Sequence, residues 1–288
     1  MIAPIETLEI TANGLRFHAL AAGPADGPLV MLLHGFPETS HGWRHQMPAL
    51  AAAGFRVVAP DQRGIGLTDK PAGIAAYRID HLAADIVALI RALARERAQV
   101  VGHDWGGAVT WHLALHHADV VQRVAILDAP HPQAFAAWLR AHRSQRRKSW
   151  YMAFFQIPWL PEFLLRAFDF RLLAKALVES SRAGTFTAAD LATYRAAWSR
   201  PGALTGMLDW YRALRLPRPK PDASAEVTIP VRLMWGDRDE ALESGMADTS
   251  IAHCRAGEVF HFPEATHWLA AEEPARVNEL LLGFLSRA

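Results

Sequence analysis

Over the first 130 residues, short apolar runs alternate with amphipathic stretches. Leu29-Val-Met-Leu-Leu33 is a continuous apolar run closed by His34-Gly35, as in a strand buried on both faces of a parallel sheet. Phe55-Arg-Val-Val-Ala59 is a second such run, ended by Pro60. From Ile79 to Leu93 the apolar positions Ile79, Leu82, Ile86, Leu89, Ile90 and Leu93 keep steps of three, four and one, which places them on one face of a helix. Gln99 to Val101 and Val121 to Leu127 predict two more strands with a helix between them. Such βαβ alternation predicts an α/β fold with a mostly parallel, doubly wound sheet.

Near Pro130 the pattern changes. Residues 131 to 225 carry helical periodicities only, with Trp138, Trp150, Trp159, Trp198 and Trp210 among them, and end in the proline-rich Leu216-Pro-Arg-Pro-Lys-Pro221. Strand patterns return at Ile229 to Trp235 and Glu258 to Phe262, followed by a helix from Glu272 to Leu285. The chain therefore reads as one α/β core, residues 1–130 and 226–288, interrupted by a helical cap over 131–225. No internal repeat or low-complexity tract appears, and the basic run Arg143-Ser-Gln-Arg-Arg-Lys148 reads as a solvated helix face.

Composition narrows the function classes. The 288 residues are 51% hydrophobic and 20% charged, enough apolar material for a full core. Thirty Lys and Arg against 29 Asp and Glu leave a net charge of +1, so the total field attracts neither nucleic acid nor a membrane. The single cysteine, Cys254, can form no internal disulfide. The first residues lack a basic segment followed by an apolar run, and no stretch reaches the ~18 apolar residues of a membrane span, so a cytoplasmic protein is expected.

Candidate chemistry centres on Val100-Val-Gly-His-Asp-Trp-Gly-Gly107, a Gly-X-Asp-X-Gly frame between a buried strand and a helix. The frame is that of a nucleophile elbow, whose small residues let strand and helix close on a strained central residue. Serine usually fills the centre, but here it is Asp104. A carboxylate is ionised at neutral pH without a base to help it, and its natural target is a saturated carbon bearing a leaving group. The competing account is a glycine-rich turn with Asp104 as a helix cap.

Two later segments weigh against a mere cap. Met234-Trp-Gly-Asp-Arg-Asp-Glu-Ala-Leu242 offers Asp237 and Asp239 after a strand, and Pro263-Glu-Ala-Thr-His-Trp-Leu269 offers His267 after the last one. Nucleophile, acid, histidine is the chain order of an α/β-hydrolase triad, with Asp239 lying 135 residues after Asp104 and His267 another 28 on. Histidine suits the task, since an ester on Asp104 must be broken by water and an imidazole can take that water's proton. Asp239 is favoured as its partner, Asp237 as a turn residue, and Asp128 as a weaker third candidate. In His34-Gly-Phe-Pro-Glu38 the turn can aim the Phe36 N–H into the site, where it and the Trp105 N–H would form an oxyanion hole. Phe36-Pro37 is a candidate cis peptide.

Taken together, His34 to Pro37, the Asp61-Gln-Arg-Gly-Ile-Gly66 loop, Gly102 to Gly107, Asp239-X-X-Leu242 and His267-Trp268 resemble the epoxide hydrolase branch of the α/β-hydrolase superfamily, over nearly the whole chain. The resemblance implies an α/β-hydrolase fold, Asp104, Asp239 and His267 as catalytic residues, and two cap tyrosines that protonate the epoxide oxygen. Asp209-Trp-Tyr-Arg212 resembles the second tyrosine motif and nominates Tyr211, whose alternative is a core aromatic. Ala153-Phe-Phe-Gln-Ile-Pro158 resembles the first, but Phe154 occupies the tyrosine's place, so Tyr211 acts alone, Tyr151 one turn earlier helps, or the substrate is not an epoxide. Tyr151, Phe154, His103, Trp105 and Pro37 are expected to line the substrate pocket.

An aspartate-dependent haloalkane or haloacid dehalogenase is the alternative within this chemistry. It is disfavoured because Phe36 stands where a halide-binding Asn would be and Trp105 where fluoroacetate-specific relatives carry Arg. A catalytically silent binding protein of the same fold is the alternative from another class. The helical trio His112, His116 and His117 has no carboxylate to complete a metal site, and no phosphate loop or dinucleotide fingerprint occurs, so no cofactor or metal is expected. The expected partners are an apolar epoxide and water, in a monomer or homodimer.

Overall fold

A computed structural model of the chain describes residues 4–217 and 226–287. The proline-rich segment lies outside the described residues from Arg218 onward. Eight strands form one sheet: β1 (Glu6–Ala12), β2 (Leu15–Ala22), β3 (Leu29–Leu33), β4 (Arg56–Pro60), β5 (Ala98–His103), β6 (Val121–Leu127), β7 (Val231–Gly236) and β8 (Gly257–Phe262). Their order is β1-β2-β4-β3-β5-β6-β7-β8, antiparallel across β1/β2 and β2/β4 and parallel elsewhere.

Strand β3 shows why a continuous apolar run is needed. Leu29, Met31 and Leu33 enter one hydrophobic core while Val30 and Leu32 enter another on the opposite face. Helices α1 (Gln46–Ala52), α11 (Leu269–Glu272) and α12 (Pro274–Leu285) cover the Val30 side. On the other side lie α2 (Ile79–Ala92), α3 (Trp105–His116) and α10 (Gly245–Ile251). The terminal helix expected from Glu272 is split, because Pro274 opens α12 and cannot continue α11.

Between β6 and β7 the described chain is helical: α4 (Pro132–Ala141), α5 (Arg143–Lys148), α6 (Trp150–Phe154), α7 (Leu160–Glu179), α8 (Ala188–Trp198) and α9 (Ala203–Ala213). This insertion leaves the sheet at the C-terminal end of β6 and returns at β7, so it spans the edge where the strands β3, β5, β6 and β7 end. Trp210 Nε1 donates to the Arg63 carbonyl and Trp198 Nε1 to that of Pro37, pinning α8 and α9 to the loops of the core.

The β1–β2 hairpin was not anticipated from the apolar pattern. It turns at Asn13-Gly14, both at positive φ (47° and 74°), the pair a two-residue hairpin turn requires.

Candidate active site

Asp104 joins β5 to α3 at φ 50°, ψ −118°, a conformation costly for any residue but glycine. The elbow closes because two neighbours lack side chains. A Cβ on Gly35 would overlap the Asp104 carboxylate, and one on Gly106 would run into the Leu33 carbonyl. Gly35 thereby lets the turn after β3 lie against the carboxylate, where the Phe36 N–H donates to Asp104 Oδ1 at 2.7 Å. The Trp105 N–H also hydrogen-bonds the Asp104 carboxyl. Buried His34 braces this turn, its Nε2 accepting from the Gln62 N–H at 3.1 Å, and Phe36-Pro37 is cis.

Across the sheet end, Asp239 Oδ2 meets His267 Nδ1 at 2.6 Å, while Asp239 Oδ1 accepts from the N–H groups of Ala241 (2.7 Å) and Leu242 (2.9 Å). His267 Nε2 lies 3.7 Å from Asp104 Oδ2, beyond a direct hydrogen bond. Burial opposes ionisation of Asp104, yet His267 and the backbone donor hold its carboxyl below the ordinary range. Burial likewise opposes protonation of His267, but the carboxylates of Asp239 and Asp104 raise its pKa well above the usual value. The two side chains rest as an ion pair.

The other two acids fall elsewhere. Asp128 ends β6 with Oδ1 accepting from the Gly236 N–H at 2.7 Å, and its buried Oδ2 has no partner among the described residues. Burial and the charge of Asp239 push its pKa well above the carboxylate range, and it is Asp239 that hydrogen-bonds His267. Asp237 pairs with His261 Nδ1 at 2.6 Å.

The basic run is only partly solvated. Arg143, Arg146 and Arg147 are exposed, but Lys148 Nζ donates to the Asp239 carbonyl at 3.0 Å. Buried Gln145 donates to the Ala241 carbonyl and accepts from the Glu243 N–H. Helix α5 thus clamps the loop that carries Asp239.

Facing Asp104 is a box of aromatic rings. Tyr211 packs edge-on against Trp105 (5.0 Å between centroids), Phe155 (5.0 Å), Phe36 (5.4 Å) and Tyr151 (5.9 Å). Tyr211 is buried and Tyr151 half-buried, and desolvation together with the Asp104 charge raises their pKa values, so each hydroxyl keeps its proton. Trp105 hydrogen-bonds the Tyr211 hydroxyl through its side chain.

Phe154, expected to line the pocket, instead packs on Trp150 and Phe155. Phe154 and Phe155 follow Tyr151 by three and four residues, and it is Phe155 whose ring meets both Tyr151 and Tyr211. Phe155 was not among the residues expected to line the pocket. Arg212 fixes it, donating from Nε to the Phe155 carbonyl at 3.0 Å while holding Glu162 with both terminal nitrogens (2.6 and 2.9 Å).

His103 is buried beside the elbow. Its Nδ1 meets Glu38 Oε2 at 3.1 Å and its Nε2 the His267 carbonyl at 2.7 Å, so both nitrogens are engaged with protein. Glu38 accepts in turn from the Tyr194 hydroxyl of α8 at 2.9 Å. This buried chain ties the elbow, the turn after β3, the histidine loop and the insertion together. Pro37 is buried and offers its carbonyl to Trp198. His112 and His116 pack with tilted rings along α3, 4.4 Å between ring centroids.

Residues 28–274 match the family model described as alpha/beta hydrolase fold. The AB hydrolase superfamily protein YfhM of Bacillus subtilis is 46% identical over 276 residues, covering 96% of each chain. Epoxide hydrolase 4 of Homo sapiens is 38% identical over 285 residues, covering 96% of this chain and 78% of the human protein. Among solved structures, an epoxide hydrolase of Bacillus megaterium in complex with an inhibitor superposes with a TM-score of 0.88 at 32% identity, covering 97% of this chain and all of that one.

Proposed function

The chain belongs to the α/β-hydrolase fold family, in its epoxide hydrolase branch, and from that premise we propose that it opens apolar epoxides to vicinal diols through a covalent ester on Asp104. The observation that carries this reading is a facing arrangement: an ionised Asp104 with Oδ1 held by the Phe36 N–H, and the protonated Tyr211 and Tyr151 in its field. One group is an anion ready to attack carbon. The others are neutral donors placed to take up the negative charge that leaves.

Asp104 Oδ2 attacks an epoxide carbon and that carbon–oxygen bond breaks. The ring oxygen accepts a proton from Tyr211, with Tyr151 hydrogen-bonding beside it. Oδ1, already held by the Phe36 N–H, is then the ester carbonyl oxygen, and the N–H groups of Phe36 and Trp105 stabilise it as it becomes the oxyanion. The His267 imidazolium gives up its proton to restore the Tyr211 phenol; the neutral imidazole, held through Nδ1 by Asp239, then takes a proton from water at Nε2, and the hydroxide adds to the carbonyl carbon. Collapse expels the diol oxygen, which takes a proton from the imidazolium, and the new Asp104 carboxyl passes its proton to the imidazole, restoring the resting ion pair. The helical insertion over 131–225 acts as the cap that supplies the tyrosines and excludes bulk water.

A halide leaves without a proton, so two phenols that keep their protons within the field of Asp104 favour an epoxide over a haloalkane. Tyr211→Phe is expected to lower styrene oxide turnover about 10²-fold, the usual size of a lost general acid, and Tyr151→Phe to lower it about 10-fold. Steady-state rates with styrene oxide and 1-bromobutane decide the matter. Unchanged epoxide rates in both variants, or 1-bromobutane as the better substrate, would overturn the reading.

The pKa directions add a pH test. Attack needs only ionised Asp104 and proceeds beside a protonated His267. Esterification removes one of the two carboxylate charges that raise His267, while the burial that lowers it remains, so its pKa falls just when it must act as base. The acid limb of kcat, which reports the loaded enzyme, is therefore expected at lower pH than the His267 titration seen by NMR in the free enzyme. Coincidence of the two would count against an ester intermediate.

A further inference from the structure

The near-zero total charge conceals a segregation. Between Arg140 and Lys175 there are eight Lys and Arg against two acids, a net of +6, while the rest of the chain carries 22 against 27, a net of −5. Both acids in the segment are paired with arginines from beyond it, Glu162 with Arg212 and Asp169 with Arg195. The arginines of α5 and α7, among them Arg143, Arg147 and Arg171, stand at the surface, whereas Lys148 is held by the Asp239 carbonyl and Lys175 pairs with Glu179.

Exposed apolar side chains concentrate on the same stretch. Of the ten large hydrophobic residues that stand exposed among the described residues, seven lie between Trp150 and Val178. Trp159 is 74% exposed, Phe163 one turn later 67%, and Phe168 86%. Phe168 is set out by a break in α7, where Phe168, Asp169 and Phe170 all take left-handed conformations (φ 51°, 55° and 57°) that cost a non-glycine residue about 1 kcal/mol each or more. A soluble monomer rarely leaves so many aromatic rings in water on one element.

We propose that the α5–α7 face docks peripherally on an anionic phospholipid bilayer, its Trp and Phe rings in the interfacial layer and its arginines among the lipid phosphates. Aromatic anchors amid basic side chains are the composition that interfacial binding uses, each cation adding to the attraction. No described helix is long and apolar enough to cross a membrane, so the contact is with one leaflet's surface. A second copy of this chain is the poorer occupant, because two such faces would bring +6 against +6. Docked this way, the cap side meets the phase in which apolar epoxides concentrate. That benefit rests on the proposed reaction, whereas the docking itself does not.

Co-sedimentation with vesicles of phosphatidylcholine alone and of phosphatidylcholine with phosphatidylglycerol tests the docking. The expected result is at least about 10-fold stronger partition to the anionic vesicles, falling as salt rises. It should be largely lost in a W159S/F163S/F168S variant whose turnover of a water-soluble epoxide is unchanged. A second variant, R143S/R147S/R171S, should lose the lipid selectivity while keeping the fold by circular dichroism. Equal partition to both vesicle types, no partition to either, or unaltered binding in both variants would overturn the proposal. So would a concentration-dependent dimer in ultracentrifugation that the aromatic variant abolishes, because the face would then belong to a second copy.

Discussion

His267→Gln should convert the enzyme into its own covalent adduct. Asp104 is ionised before any proton moves, so attack on the epoxide does not need the imidazole; only the water that breaks the ester does. Glutamine can still hydrogen-bond Asp239 but cannot accept water's proton, and Asp239 keeps the N–H groups of Ala241 and Leu242, so its buried carboxylate is not stranded. Turnover is expected to fall roughly 10³-fold, within the range for a lost general base, while the first half-reaction persists. Intact-mass measurement after mixing with styrene oxide should find the protein heavier by one substrate, on the peptide containing Asp104. A variant that is inactive and unmodified would place His267 before bond formation, as in a serine-type mechanism, and would sink the division of labour proposed between Asp104 and His267.

The parts of the site legible in the sequence are those built from contiguous residues at strand ends. Gly102 to Gly107, His34 to Pro37 and the loops around Asp239 and His267 each announce themselves locally, since a sharp turn after a buried strand demands glycine or proline at set positions. The parallel strands were legible for a related reason: buried on both faces, they must be apolar throughout. What escaped depends on phase or on distance. Helix α6 is five residues long, too short for its periodicity to show whether Phe154 or Phe155 faces Tyr211. The Glu38–His103–Tyr194 chain joins residues 65 and 156 positions apart, and nothing in the local sequence marks such a meeting. Lys148 sits in a run whose other cations are solvated, and its long stem alone brings the ammonium to the Asp239 loop. The β1–β2 hairpin did carry a signal in Asn13-Gly14, but the alanines at 19, 21 and 22 of β2 dilute the alternation that would have framed it.

Single turnover in oxygen-18 water, with enzyme in excess, should yield unlabelled diol and one heavy oxygen in the Asp104 carboxylate. The geometry says which atom moves. Oδ1 is held by the Phe36 N–H at 2.7 Å and becomes the carbonyl oxygen, while Oδ2, 3.7 Å from His267 Nε2, faces the base and is the atom that bonds to substrate carbon. Water activated at Nε2 reaches the ester carbonyl from the histidine side, since the two N–H donors occupy the other. When the tetrahedral adduct collapses, the bond that breaks joins the carboxyl carbon to the original Oδ2. That oxygen leaves in the diol, and the solvent oxygen stays on Asp104. The opposite outcome has an equally definite meaning: heavy oxygen in the diol during the first turnover would mean that water attacked the epoxide directly, reducing Asp104 to a general base and leaving the oxyanion donors at Phe36 and Trp105 without an ester to stabilise. Mass analysis of the diol and of the Asp104 peptide from one quenched reaction separates the two routes, because the label cannot reach both in a single cycle.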